Sequence, residues 1–530
     1  MVSKRGGCLA STSVPTRWPL PKQVILVASC VLCVTDALAG NWDIVPRVTV
    51  SETYTDNVNA THSNAQSDFI TEVSPGININ GDSSRAKLNL DYQLQSLFFA
   101  DNSDRNQIHQ NLAAIGQTEL VKDLFFVDGR ASISQQIIDA QQQVGLDNFS
   151  AGGNRTDVNT YSISPNLRHD FSGYANGTLR YTHDVVEYGD TSAIQNSKSN
   201  YIQAGLASGQ RNSLLGWKLN YNDQRIQRGN SINDATYKNV NGELRYLLTH
   251  KLSAVVQGGR EENDYASTRP IVNGSYWAAG LDWAPSRYIL LRGLEGSSYK
   301  TATVTLTPNA RTSLTTSYRN REVGLNPGPV WSGNLMHRTQ HTVLDAGYLE
   351  DTVTNQQLAQ ELVALQAPNP DPVTGEPLYL DLNGNLVPAG SPDIAYFTRF
   401  SLTDEIIVRQ RASAGISYTR HKSTIRLSGF DEQRVYQLSL QEEQARGLEV
   451  SWKLRLTPRT QSLLKVGAQR NKSKPAAQQN DYYFIQMGLT HELSRGITGG
   501  LDYRFFSQNS DNLSTDYNEN RLTARVIVRF

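Results

Sequence analysis

Few residues in this 530-residue chain combine a reactive side chain with a spacing that catalysis or metal binding requires. His337 and His341, four apart, would share one face of a helix as a zinc pair, but Arg338-Thr339-Gln340 between them reads as a tight turn. Gly81-Asp82-Ser83-Ser84 begins like a hydrolase elbow, yet lies in a turn with no strand-to-helix support. Asp381-Leu382-Asn383-Gly384-Asn385 has fragments of a calcium loop, without the glutamate at its twelfth place, where Pro392 stands. All three cysteines (Cys8, Cys30, Cys33) fall in the first 39 residues. No phosphate-binding glycine loop and no triad is found, so the sequence predicts no enzyme, no cofactor and no metal.

What remains is electrostatic. Leu448 to Leu456 alternates without a break, five apolar side chains on one face and Glu449, Ser451, Lys453 and Arg455 on the other. The same period of two runs through Leu88–Leu94, Val240–Leu248, Trp277–Trp283 and Tyr483–Leu489. If the apolar parity meets lipid, charges must take the other one, because a lipid-facing charge costs roughly 2–4 kcal/mol at the bilayer midplane. That rule lines a lumen with Arg409, Arg411, Arg426, Lys453, Arg455, Arg504, Arg525 and Arg529, and with the acids Asp91, Glu243, Asp282, Glu449 and Asp502. Two readings follow: a mutually paired, solvated wall, or a conduit tolerant of anions and uronates with a cation excess around Arg409, Arg411 and Arg426.

The elements carrying these rows are long strands. Tight turns centred near 84, 122, 170, 210, 250 and 286 recur every 36 to 48 residues, about two strands and one longer polar loop apart. After turns at 308–309 and 338–340, the rhythm returns at 421–422, 458–460 and 493–495. Short turns at one end and long loops at the other are the signature of an outer-membrane barrel, and strands of ten or more residues match a tilted bilayer span. The predicted fold is all-β: a large antiparallel transmembrane β-barrel of about 24 strands, within a range of 18–26, with one helix-containing loop insertion.

Composition agrees once the chain is divided. Residues 1–39 carry Lys4, Arg5, Arg17 and Lys22, an apolar run from Val24 to Val34, and Ala37-Leu38-Ala39 before Gly40, which reads as a Sec-type signal peptide. Val27-Ala28-Ser29-Cys30 offers a competing lipoprotein signal with a shorter apolar core. Four of the 50 basic and one of the 50 acidic residues fall in this segment, leaving 46 against 49. That balance gives no footprint for nucleic acid. A mean hydropathy of −0.46 suits a barrel, whose strands average to hydrophilic.

Residues 352–398 break the rhythm. Leu358, Leu362 and Leu365 predict a short amphipathic helix, followed by prolines and a hairpin, Leu378–Leu382 turning at Asn383-Gly384. Strand parity puts this insertion on the extracellular side, either folded into the lumen, lying over its mouth, or decorating the surface. At the chain end, Leu522, Ala524, Val526, Val528 and terminal Phe530 share one face. Such a strand resembles the signal read by the barrel assembly machinery, carried here by Val526, Val528 and Phe530. Trp283, Tyr288, Trp452, Tyr503, Phe505 and Phe530 near strand ends fit interfacial girdles.

Strand-like alternation begins almost at Trp42, with no plug-sized segment before it, which argues against iron-siderophore transporters. The missing large passenger and missing cysteines argue against autotransporters and the lipopolysaccharide-insertion barrel. Over nearly all of residues 40–530 the chain resembles the exosortase/PEP-CTERM-system-associated outer-membrane barrel family, of the β-barrel porin 2 type. The likeness is carried by Trp42-Asp43-Ile44-Val45-Pro46-Arg47-Val48, by Glu52-Thr53-Tyr54-Thr55-Asp56-Asn57-Val58, by Trp277 through Ser286, and by Asp345-Ala346-Gly347-Tyr348-Leu349-Glu350-Asp351. It implies a Gram-negative outer-membrane protein beside exopolysaccharide biosynthesis and export, with lipid, the assembly machinery, a polysaccharide and periplasmic export components as partners. It supplies no catalytic residues. The expected role is a conduit or accessory for exopolysaccharide export; the alternatives are a general diffusion porin and a non-conducting attachment barrel.

Overall fold

A computed structural model describes residues 40–530, apart from 146–147, 150–151, 190–193, 212–213, 230–233, 355–356, 359–377, 381–385, 389–399 and 476. The first nine strands are β1 (Gly40–Thr55), β2 (Asp68–Ser83), β3 (Ala86–Phe99), β4 (Gln107–Val121), β5 (Phe125–Ile137), β6 (Arg155–Asp170), β7 (Ala175–Tyr188), β8 (Ser197–Ser208) and β9 (Leu215–Arg228). Then come β10 (Ala235–Thr249), β11 (Leu252–Asp264), β12 (Gly274–Ser286), β13 (Ile289–Gly296), β14 (Tyr299–Asn309), β15 (Thr312–Arg321), β16 (Gly328–Arg338) and β17 (Thr342–Val353). A separate small hairpin, β18 (Leu378–Leu380) and β19 (Leu386–Pro388), precedes β20 (Ile407–Arg420), β21 (Ser423–Tyr436) and β22 (Glu442–Thr457). The chain ends with β23 (Thr460–Lys474), β24 (Gln478–Ser494), β25 (Ile497–Ser510) and β26 (Tyr517–Arg529).

All strands but the small hairpin form one antiparallel sheet of 24. It closes on itself where β1 meets β26, from Arg47 opposite Arg529 to Thr55 opposite Arg521. Closure removes every sheet edge, which is what lets strands cross a membrane without unmet backbone groups. At the long-loop end the ring is not a plain circle: Ile406, directly before the first residue of β20, packs on Ile226 of β9 and Tyr237 of β10, so facing walls come within side-chain reach.

The strands alternate as the residues require. Along β12, Trp277, Leu281 and Trp283 point outward, about half exposed, while Tyr276, Ala278 and Asp282 are buried inward. Strand β22 repeats this with Leu448, Val450 and Trp452 outward. An apolar belt of this kind is the surface a bilayer covers. The short turns of the sequence reading all join strands on one side, the side that also holds Gly40 and Phe530. Strand β13 is only 8 residues long. There β12 and β13 approach across Gly280 and Gly293, where a Cβ on Gly280 would lie 1.9 Å from the Gly293 carbonyl oxygen, so only glycine fits.

Of the predicted insertion, Gln357 and Leu358 are helical and the hairpin pairs Leu378 opposite Pro388 through Leu380 opposite Leu386. The remainder of the expected helix, the Asn383-Gly384 turn, the calcium-like fragment at 381–385 and the signal segment 1–39 lie outside the described residues.

Candidate functional site

The inward wall carries ion pairs within a strand and between strands, some of them reaching past an intervening strand. Arg409 on β20 grips Asp351 on β17 with two bonds, Nε to Oδ1 at 3.0 Å and Nη2 to Oδ2 at 2.8 Å. Arg426 on β21 donates to Asp345 at 3.1 Å and to the Ser417 hydroxyl at 2.8 Å. Glu432 lies between Arg434 at 2.7 Å and Arg411 at 3.7 Å. The arginines singled out in sequence therefore do not form an open cationic row. Asp345, Asp351 and Glu432, acids that the parity reading left off its list, neutralise them. Their signal was partly present: Asp351 sits directly across from Arg409 and Glu432 across from Arg411 in the strand register, whereas Asp345 reaches Arg426 past the intervening β20.

The other predicted residues occupy the same inward parity. Arg504 donates to Asp502 at 2.6 Å. Lys453 and Arg455 follow the buried Ser451 along β22, and Arg525 and Arg529 follow the buried Arg521 along β26. Elsewhere on the wall Arg47 binds Asp91 through both nitrogens at 2.5 and 2.7 Å. Arg292 joins Asp282 (2.7 Å) to Glu243 (3.0 Å). Val526 and Phe530 face outward, exposed, at the short-turn rim, and the Phe530 N–H donates to the Pro46 carbonyl at 3.0 Å. His337 and His341 serve separate hydrogen bonds, to the Thr312 hydroxyl and the Thr419 carbonyl.

At the long-loop end, sequence reasoning missed the main feature: the lumen is crossed by two inward-folded segments. Residues 138–145 of the connection that leaves β5 lie against β23 to β26. Tyr482 Oη donates to the Ala140 carbonyl (3.1 Å), Tyr517 Oη to the Val144 carbonyl (2.8 Å) and Gln508 Nε2 to the Gln142 carbonyl (3.1 Å). The Gln508 amide oxygen accepts from the Val144 N–H in return. Val144 and Ala60 pack with Tyr482, Phe484, Phe506 and Tyr517 into a small apolar core inside the barrel. Arg105 fastens this connection to the neighbouring loop, donating to the carbonyls of Val58 (2.7 Å) and Phe149 (3.3 Å). Burial pushes its guanidinium below its ordinary pKa, against the pull of Asp104, Asp68 and Glu519.

The second segment, 400–406, lies between the β20–β22 wall, which it joins at Ile407, and the β6–β10 wall. Ser401 donates to Glu443 at 2.8 Å while Phe400 lies under the Arg434 guanidinium, 3.7 Å from ring centre to carbon. Leu402 packs on Val158, Val186, Tyr188 and Ile194, and Ile406 on Ile226, Ala235 and Tyr237. The two segments also hold each other, through Ala140 N–H to Ser401 Oγ (3.1 Å) and Leu402 N–H to the Ile138 carbonyl (3.1 Å). At the long-loop end, residues of both segments thus lie inside the ring and are held to its wall and to each other by hydrogen bonds and apolar contacts. The available signal was unbroken apolar runs such as Tyr482-Tyr483-Phe484 and Phe505-Phe506, where the inward parity stops being polar.

Comparison with known proteins finds one family match and several distant structural likenesses. Residues 37–208, about a third of the chain, match a family model described as "Putative beta-barrel porin 2". No curated protein matches the chain. Among solved structures, the FrpB iron transporter from Neisseria meningitidis (F3-3 variant) is 10% identical, with 93% of this chain and 82% of that one covered and a TM-score of 0.46. The siderophore receptor PirA from Pseudomonas aeruginosa is 9% identical, with 92% and 80% covered and a TM-score of 0.41. OmpTdeltaL8, an outer membrane protein of Vibrio cholerae, is 7% identical, with 93% and 100% covered and a TM-score of 0.30. No residue role transfers at such identities. The N-terminal third of the chain thus bears a β-barrel porin family signature, on a porin-like closed barrel of outer-membrane type.

Proposed function

We propose that this protein is a gated outer-membrane conduit, or an accessory to one, for an exopolysaccharide in an exosortase-linked system, exported by its signal peptide and assembled through its C-terminal Phe530 strand. The observation that carries this reading is the inward fold of residues 138–145 and 400–406, which we read as a closure. It is held by side-chain bonds and small apolar contacts, outside the 24-strand sheet, so it can move without opening the barrel wall. Behind it lies a wall of paired charges, amides and hydroxyls, which can exchange hydrogen bonds with a hydrated polymer and offers little fixed net field to repel it. The chemistry asked of the protein is passage and binding, without catalysis. A general diffusion porin fits less well with a crossed lumen. A non-conducting attachment barrel is the second reading, favoured by the same closure.

The test is deletion of the gene with secreted polymer assayed in the culture supernatant. Loss or strong reduction of extracellular polymer, restored by the intact gene, is expected. Unchanged polymer rejects the export role.

A further inference from the structure

On its outward face, the wall from β21 to β24 carries a cluster of cations near the long-loop end. Arg446 on β22 lies directly across from Arg470 on β23, and Lys472 follows one outward pair further up, across from Gln444. All three share the outward parity of Leu448 and Val450 and are exposed. Like charges directly opposite each other destabilise a sheet. Other outward cations at this end avoid that arrangement: Lys238 lies across from Glu262, and Lys300 across from Glu295.

The two arginines are drawn apart by acids on the flanking strands. Arg446 donates to Asp431 on β21 at 2.8 Å, and Arg470 to Asp481 on β24 at 2.7 and 2.9 Å. The ammonium of Lys472 has no ion-pair partner among the described residues. Between the three cations lies an open depression of about 420 Å³, lined also by Leu448, Ala468 and Tyr483. Exposed ion pairs contribute only about 0–1 kcal/mol, and each guanidinium keeps donors beyond those its carboxylate takes. Both arginines can therefore turn part of their fork to an anion seated in the depression.

The height of the cluster identifies the anion. From Leu456 beside the short turn up to Arg446, β22 climbs roughly 25 Å at the usual rise and tilt, which is the height of a lipid-facing band. Below the cations the outward rows are apolar, with Val450, Val466 and Met487 exposed. Long loops mark the extracellular end of an outer-membrane barrel, so the cluster stands at the level of the outer-leaflet headgroups with acyl-chain surface directly beneath it. We propose that Arg446, Arg470 and Lys472 bind a phosphate of an outer-leaflet phosphoglycolipid, the lipid A anchor of lipopolysaccharide, whose acyl chains cover the rows from Leu448 down. Guanidinium forks match phosphate oxygens in bidentate pairs, and the lysine adds a point charge. This site needs only the outer-membrane setting of the proposed function, whatever the lumen carries.

The test is native mass spectrometry of the full-length barrel in detergent with diphosphoryl lipid A, and separately with dioleoylphosphatidylglycerol and inorganic phosphate. One tightly held lipid A per barrel is expected, weakened about tenfold or more in the double variant Arg446→Gln, Arg470→Gln and severalfold in Lys472→Gln. Arg260→Gln, at an outward cation elsewhere on the same end, should leave it unchanged. Each variant is first checked for the compact migration of a folded barrel on unheated gels, and Lys472 has no ion pair to lose, so its variant stays decisive if the double one fails to assemble. No retained lipid A, or equal retention in the folded variants, overturns the proposal. So does equal affinity for phosphatidylglycerol, which would make the cluster a general contact for anionic lipid, and so does displacement of lipid A by inorganic phosphate, which would make it a site for the free ion. Failure of the conduit reading is a different result: secreted polymer unchanged on gene deletion, with lipid A binding intact.

Discussion

At the scale of single residues, the lumen wall is governed by pairing. Glu432 is buried between Arg411 and Arg434, and removing one partner of a buried ion pair costs more than the pair itself contributes. Glu432→Gln is expected to destabilise the barrel by about 3–5 kcal/mol, seen as a lower temperature for loss of compact gel migration. A variant that also carries Arg411→Met and Arg434→Met is expected to recover much of that loss. Arg409, Arg411 and Arg426 show why charge selectivity was only half legible in the sequence. Alternation puts a charge on a face, but its counter-ion is set by the register of the next strand, and Asp351, Asp345 and Glu432 become visible only once β17, β20 and β21 are aligned.

At the scale of elements, strands and turns were legible because they obey local rules. Nine unbroken alternations at Leu448–Leu456 leave no other reading, and turns such as His421-Lys422 fall where the register reverses. The crossing segments obey no local rule. Ala140, Val144 and Ile406 show neither period, and they are buried by residues more than 30 positions away in sequence. Their counterpart in the wall is the inward aromatic set of Tyr482, Phe506 and Tyr517. The double variant Tyr482→Phe, Tyr517→Phe removes two hydrogen bonds to the 138–154 connection, each about 1 kcal/mol. It is expected to raise the open fraction of single channels roughly tenfold or more, with little change in the melting of the barrel. Unchanged gating would place the closure's hold elsewhere. Arg105→Ala, which frees Val58 and Phe149, is expected to act in the same direction.

At the scale of the whole molecule, balanced charge and low mean hydropathy divide into two interleaved compositions, an apolar outer belt and a paired inner wall. The ring closes between β1 and β26, so the last strand decides whether there is a barrel at all. Phe530→Ala or its removal is expected to lower severalfold the amount of folded protein in the outer membrane. Refolding of the same variant into detergent should be nearly normal, because the side chain is 75% exposed and contributes little packing. The insertion divides in a similar way. Deleting 359–399 while keeping 400–406 is expected to leave the channel closed if the described contacts of Leu402 and Ile406 hold it shut; a rise in conductance would assign that role to the deleted residues.

The barrel is proposed to be a conduit whose lumen is shut by residues 138–145 and 400–406. Single-channel recording in planar bilayers tests it most directly, comparing the intact protein with one in which residues 140–145 are replaced by a glycine-serine linker and Ser401, Leu402 and Ile406 by glycine. The intact protein should conduct rarely and in small steps, and the variant in large, long-lived ones. Equal conductance in the two, whether both open or both silent with the variant folded, would contradict it.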